Sequence, residues 1–255
     1  MNRNLFSLQG YIKAGLRNAA TGKPGPLFWL GNVPEATLEI TVESADKRES
    51  FSGNRGLYKR MYTQRGGTFS GSMDEWSLKN LALLLHSQSA NVASSPVTAE
   101  AFPAALVDGD EVLLAHPYAA SLVITDSTSG TPLTVDPDDY ELVGHNSRIV
   151  QLKNVASYVQ PFKAAYTPAA YDKLDFFSKE PDEIYVVFDG IDTEYNVPVE
   201  IDLFRAQFAP LANFAMINEE FGNLPFSAEL LFDSLNTDSN GKGGYARLLS
   251  KSPVA

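Results

Sequence analysis

The sequence predicts a mainly β fold, a sandwich or barrel of two packed antiparallel sheets flanked by one short α-helix, with a long loop between two strands. Short runs of alternating apolar and polar residues recur along the chain, and turn-forming residues separate them. Only one segment has leucines at helical spacing. Of the 255 residues, 44% are hydrophobic and 20% charged, so the chain can bury a sizeable core.

The clearest strand covers residues 37–43, where Leu38, Ile40 and Val42 alternate with polar side chains. This alternation predicts one face against a core and one face toward water or a polar partner. A second strand is predicted at 68–74.

Residues 44–67, between these strands, are expected to form a long loop. Loops longer than about 12–15 residues are usually functional or disordered. Apolar side chains such as Phe51, which a solvated linker would not favour, lie among its basic residues. Six of the 20 basic residues of the chain lie in this loop, against only two acidic ones: Lys47, Arg48, Arg55, Lys59, Arg60 and Arg65, against Asp46 and Glu49.

The only strong helix signal starts at Ser77, a residue type that caps helix N-termini. Leu78, Leu81, Leu84 and Leu85 follow at helical spacing, and the helix is predicted to end near residues 86–89.

The rest of the chain predicts further strands. Several short ones fall within 111–152, and others at 164–166, 183–188, 197–208 and 224–232. Inside 197–208 the alternation changes phase near Leu203, which predicts a β-bulge.

These patterns suggest a three-part organisation. Residues 1–30 are assigned to an N-terminal extension, and residues 31–235 to a β-sandwich domain in which 90–160 is a candidate inserted β segment. Residues 236–255 are rich in Gly, Ser and Asn, which predicts a flexible tail.

No catalytic or cofactor motif emerges, so neither an enzyme nor a resident cofactor or metal ion is expected. There is no cysteine, the three histidines are far apart, and there is no nucleophile elbow or phosphate-binding loop. The net charge of −11 argues against a surface that grips nucleic acid. Two alternatives stay open: a sugar site lined by Trp29 and Trp76, and a hydrolase with carboxylates distant in sequence.

The expected location of the protein follows from its apolar runs, which are too short for a signal peptide or a membrane-spanning helix. The N-terminus lacks a signal peptide pattern, and no run approaches the about 20 residues of a membrane-spanning helix. A soluble protein without a membrane span, made in the cytoplasm, is therefore expected.

The order and spacing of several motifs resemble the major tail tube proteins of long-tailed bacteriophages. Gly31-Asn32-Val33 precedes the first strand, and a Lys47–Gly53 turn follows it. The most specific piece is the strand-to-helix transition Asp74-Glu75-Trp76-Ser77, followed by Asn80-Leu81-Ala82. The likeness extends through Phe188-Asp189-Gly190 to about residue 234.

This resemblance implies a structural virion protein of a non-contractile tail, made in the bacterial host cytoplasm. Six copies would form a ring, and stacked rings would form the tube through which double-stranded DNA is ejected without tight binding. The implied partners are other copies of the chain, a tape measure protein inside the tube, and tail terminator and distal tail or baseplate proteins at its ends. The alternative of a different class is a virion or surface adhesion module that binds carbohydrate.

Two sets of residues follow as candidates under this reading. Acidic side chains on polar strand faces would line the lumen and repel phosphates. These are Glu39, Glu43, Asp74 and Glu229, together with Glu200 and Asp202 near the phase change. The loop would cross the interface between rings through Lys47, Arg48, Arg55, Leu57, Tyr58, Lys59, Arg60, Met61, Tyr62 and Arg65.

Overall fold

The computed structural model describes residues 5–251 and is mainly β. Strands account for 48% of the residues and helices for 5%, and the sheets are antiparallel with a single α-helix, so the predicted β-sandwich-like fold class is confirmed. In chain order the elements are β1 (Leu8–Leu16), β2 (Phe28–Trp29), β3 (Glu35–Arg48), β4 (Leu57–Met73), α1 (Leu78–Leu84), β5 (Ser89–Val92), β6 (Val97–Ala101), β7 (Glu111–Leu113), β8 (Ala119–Thr125), β9 (Tyr140–Val143), β10 (Ile149–Leu152), β11 (Lys163–Pro168), β12 (Tyr171–Leu174), β13 (Glu183–Asp192), β14 (Val197–Phe208), β15 (Leu224–Leu230) and β16 (Ala246–Ser250).

The chain divides into two compact units. Ala90–Lys173 forms the second unit, and the sequence on both sides of it forms the first. The range 90–160, treated above as a candidate insertion, lies inside the second unit. Strands β5 and β12 pair where the chain enters and leaves that unit.

The first unit is built on one eight-stranded antiparallel sheet. The strand order is β2-β1-β13-β14-β15-β4-β3, and β16 adds to β14 beside β15. Strands β15 and β16 therefore share one edge of β14, β15 along residues 206–208 and β16 along 199–203. The predicted bulge is confirmed, because the register shifts where Ile184 pairs with Ala206 and Val186 with Leu203.

One face of this sheet forms the core of the first unit, and α1 covers it. Leu81, Leu84 and Leu85 of the helical segment are buried in the same cluster as Phe69 and Phe226 of the sheet. Ser77 caps the helix as predicted, since its side chain accepts a hydrogen bond from the Asn80 N–H. The helix ends at Leu84, earlier than the predicted residues 86–89, because the backbone of His86 turns to a φ of 46°.

The second unit is a small sandwich of its own. Two three-stranded sheets, β7-β10-β9 and β6-β11-β8, contribute to one buried cluster. Val150 and Leu152 of β10 and Ile124 and Ala164 of β8 and β11 are fully or almost fully buried in it.

Three expectations about chain segments are wrong. The N-terminal segment is not an extension from residue 8 onward, because β1 pairs with β13 along its whole length inside the main sheet. Residues 44–67 are not a long loop, because β3 and β4 stay paired from Glu35–Ser72 out to Arg48–Leu57. The C-terminal segment is not a loose tail throughout, because β16, Ala246–Ser250, pairs with β14. Residues 1–4 and 252–255 lie outside the described residues.

Candidate assembly surfaces

The most unusual feature of the first unit is the outer half of the β3–β4 hairpin, residues 40–65, which we call the arm. Every residue of β3 except Leu38 is exposed, and so is every residue of β4 from Leu57 to Arg65. Strands of the core sheet alternate between buried and exposed residues, but the arm is exposed on both faces. From Ile40 to Arg48 it extends about 30 Å at 3.3 Å per residue.

The arm exposes large apolar side chains. Ile40 is 74% exposed and Phe51 81%, and Phe51 packs edge-on against Tyr58 with ring centroids 6.2 Å apart. Ile40 and Val42, expected to face a core, continue the core-facing row of Leu38 beyond the end of the core. The sequence pattern predicted that these residues face a core, but in the structure they are exposed.

All ten residues predicted for stacking lie on the arm or its turn and are exposed. They are Lys47, Arg48, Arg55, Leu57, Tyr58, Lys59, Arg60, Met61, Tyr62 and Arg65. Within the arm, Arg60 donates to Asp46 at 2.7 and 2.8 Å, and this hydrogen-bonded pair keeps the pKa of the Asp46 carboxyl below its usual value. Lys47 and Lys59 are direct cross-strand partners, which places two like charges side by side.

The face of the main sheet opposite the core, which we call the polar face, carries most of the predicted lumen residues and also a small buried cluster of Tyr185, Val187 and Phe204. Cross-strand pairing joins Glu39 to Thr68, Thr68 to Glu229, Glu229 to Gln207 and Gln207 to Glu183 in one row. Because directly paired residues lie on the same face, Glu39 and Glu229 share this surface.

Three further predicted carboxylates also belong to this face. Glu43 lies four residues after Glu39 in β3, and an even spacing in a strand places both side chains on the same face. Glu200 and Asp202 pair with Asp189 and Val187 of β13, which alternate with the core residues of that strand.

Two of the six predicted lumen residues, Asp202 and Asp74, differ from the other four in their contacts. Asp202 is only 3% exposed and is bound by Arg247 of β16 at 2.6 Å, so its charge is neutralised within the chain. Asp74 follows the last residue of β4 and accepts a hydrogen bond from the Asn32 amide at 3.0 Å at the end of the sheet. Sequence reasoning missed the Arg247 partner because residues 236–255 were taken as a flexible tail.

A second exposed apolar segment, which sequence reasoning missed, connects β14 to β15 at residues 209–223. Met216, Ile217 and Phe221 are 89, 95 and 102% exposed, and Glu219 and Glu220 lie between them. Two backbone hydrogen bonds hold the start of the segment: the Ala209 N–H donates to the Ser227 carbonyl and the Leu211 N–H to the Leu84 carbonyl, both at 2.8 Å. The run of apolar residues was the signal, but strands were predicted only on either side of it, at 197–208 and 224–232.

The sugar-site alternative rested on two tryptophans, and both are exposed. Trp29 is 47% exposed and meets Tyr11 edge-on, with ring centroids 6.0 Å apart, and Trp76 is 67% exposed before α1.

Between residues 5 and 251, no group of three or more His, Cys, Asp or Glu side chains is arranged to hold a metal ion. Over the same residues, no helix has the length and apolar character needed to cross a membrane.

Comparison with known proteins places the chain in a family. No curated protein matches it. A family model described as "Protein of unknown function UCP028589" matches residues 5–249, which is nearly the whole chain and includes the arm, the main sheet and the second unit. The chain therefore belongs to the family described as protein of unknown function UCP028589.

Proposed function

We propose that this protein is the subunit of a bacteriophage tail tube. Six copies form a ring, and rings stack into a conduit for double-stranded DNA. The observation that carries the proposal is the arm, which exposes apolar side chains on a two-stranded ribbon outside any core. An isolated two-stranded hairpin is at best marginally stable in water, so a ribbon of this length gains its stability from a partner surface.

The polar face of the main sheet supports the same proposal. It gathers Glu39, Glu43, Glu200 and Glu229 on one side of a continuous sheet. Turned toward a lumen, this face repels phosphates, so DNA slides past without being held. The arm and the acidic face lie on one unit, which is the arrangement a conduit built of identical subunits requires.

The sheet edges also favour association between copies. Among residues 5–251, no further strand lies beside β3. On the other side, β2 pairs with Lys13 and Ala14 of β1, and the Leu30 and Gly25 N–H groups donate to the Ile12 and Leu16 carbonyls, so the edge near Leu8 is the less covered part. Exposed strand edges are templates for pairing with another chain, and closure into a ring removes them. The virion tail, the tape measure protein and the terminal tail proteins are the location and partners that belong to this proposal.

Electron microscopy of the purified full-length protein tests the proposal. We expect rings or stacked tubes, and we expect folded subunits that do not stack when residues 46–60 are replaced by a two-residue turn. As a control, an exposed turn of the second unit, 129–131, is shortened in the same way. A parent protein that stays monomeric at high concentration would contradict the proposal, and glycan binding by that monomer would favour the adhesion module.

A further inference from the structure

The two exposed apolar segments of the first unit lie at opposite ends of the same strands. The arm turns beyond the paired residues Arg48 and Leu57, at one end of β3 and β4. Segment 209–223 leads into Leu224, which pairs with Met73 at the other end of β4. One end of the sheet therefore carries a projecting ribbon, and the other carries an exposed apolar loop.

The arm and segment 209–223 have opposite charge. Residues 46–65 contain six basic side chains and two acidic ones, and one of the acids, Asp46, is already paired with Arg60. Segment 209–223 contains Glu219 and Glu220 and no basic residue, and Asp74 and Glu75 lie beside it after Met73. The arm is thus basic and the loop is acidic.

The arm also contains an electrostatic conflict that a partner can resolve. Lys47 and Lys59 face each other across the ribbon, and like charges directly opposite each other destabilise a strand pair. The two acids that lie near these lysines in sequence engage other groups: Asp46 binds Arg60, and Glu49 accepts from the Ser52 backbone N–H at 2.9 Å. Carboxylates supplied by another molecule would remove the repulsion.

We propose that segment 209–223 of one copy is the receptor for the arm of the next copy. Glu219 and Glu220 face Lys47 and Lys59, and Met216, Ile217 and Phe221 cover the apolar side chains of the arm. A contact between different patches on identical chains is heterologous, and it propagates head to tail unless it closes. This inference rests on the proposed function, because it names the surface at which one ring meets the next.

A charge-swap series in the full-length protein tests the pairing. We expect Lys47→Glu with Lys59→Glu to reduce the polymer formed, and Glu219→Lys with Glu220→Lys to do the same. Each loss should be at least about tenfold, because like charges brought together across an interface cost several kcal/mol and about 1.4 kcal/mol is tenfold. Carrying both swaps in one chain should restore assembly. The measurement is sedimentation of polymer, with electron microscopy of the pellet.

The controls separate the two proposals. Glu111→Lys with Asp138→Lys changes the net charge by the same amount at exposed sites of the second unit and should leave polymer formation unchanged. If the loop variant polymerises like the parent while the arm variant does not, the receptor assignment is wrong and the proposed function stands. Failure of the combined swap to recover assembly overturns the assignment in the same way. A parent that forms neither rings nor tubes overturns both.

Discussion

The most constrained side chains of the first unit form a buried ionic cluster. The Arg17 guanidinium donates to both oxygens of Asp233 at 2.8 and 2.7 Å, and the two side chains are only 6 and 1% exposed. Glu183 joins the cluster through Arg17 and Arg205. Burial raises the pKa of the Asp233 carboxyl, but hydrogen bonds from Arg17 and Asn236 outweigh this effect and keep it below its usual value.

Removing the cation from this cluster should destabilise the first unit. Arg17→Met leaves Asp233 buried without its counter-charge, and breaking a buried pair in this way costs about 3–5 kcal/mol. Chemical denaturation measures the loss of unfolding free energy. The control is Lys179→Met, which removes an exposed ion pair with Asp182 and should change little. Equal stability of the Arg17 variant and the parent would show that the pair contributes nothing net.

The second unit contains a carboxylate that makes its stability depend on pH. Asp126 is 1% exposed and accepts hydrogen bonds from Thr128, Leu133 and Val159. Burial of the carboxylate raises its pKa, but these hydrogen bonds together outweigh burial and lower the pKa to about 2. A lowered pKa in the folded state stabilises the fold above the unfolded value of 3.8, and this contribution is lost as the pH falls toward 2.

We expect the stability difference between the parent and Asp126→Asn to depend on pH. The parent should be more stable at pH 5, and the difference should shrink as the pH is lowered toward 2, because protonation then removes the same charge. Urea unfolding of both proteins across this range, followed by a probe in the second unit, measures the difference. A constant difference would mean that the Asp126 charge is not what the hydrogen bonds stabilise.

At the scale of elements, the core of the first unit ends part-way along β3. Leu38 is half-buried against the core, whereas Ile40 and Val42, next in the same row, are 74 and 52% exposed. The row is continuous in sequence, but the core ends after Leu38. Apolar residues beyond that point stabilise the protein only when a partner covers them.

Substitutions in this row should separate stability from assembly. Ile40→Thr with Val42→Thr keeps β-branched side chains and should leave the melting temperature of the subunit unchanged while weakening tube formation. Leu38→Thr is the matched control, and it should lower the melting temperature because it removes buried apolar area. If the double variant melts at a lower temperature and assembles normally, the arm is covered within its own chain.

The elements themselves were predictable to different degrees. Helix α1 followed from Ser77 and four leucines, because capping and helical spacing are local. The bulge in β14 followed from a change of phase at Leu203. Residues 44–67 of the hairpin were predicted as a loop because the strand residues among them are exposed on both faces and lack the alternation of a half-buried strand. Strands β1 and β16 were not predicted, because they join the sheet through pairing with other segments of the chain, which a local pattern does not show.

At the scale of the whole molecule, the proposed function and the carboxylates of the polar face together predict that tubes do not retain DNA. Replacing Glu39, Glu43 and Glu229 by lysine should give tubes that retain double-stranded DNA at low salt and release it as salt is raised. Co-sedimentation with DNA measures retention. Three reversals outside this face, Glu111, Glu180 and Glu194 to lysine, are the control. Intact tubes of the first variant that bind no more DNA than the control would show that this face does not meet DNA.

The amino-acid sequence alone predicted the fold class, the capped helix, the basic character of residues 46–65 and the carboxylates of the polar face. Each of these depends on residue type and local spacing. The tertiary structure decided that β1 and β16 belong to the main sheet, that Asp202 is neutralised by Arg247, and that arm and loop lie at opposite ends. These depend on pairing between distant parts of the chain, and alternation within a strand does not encode which strands become neighbours.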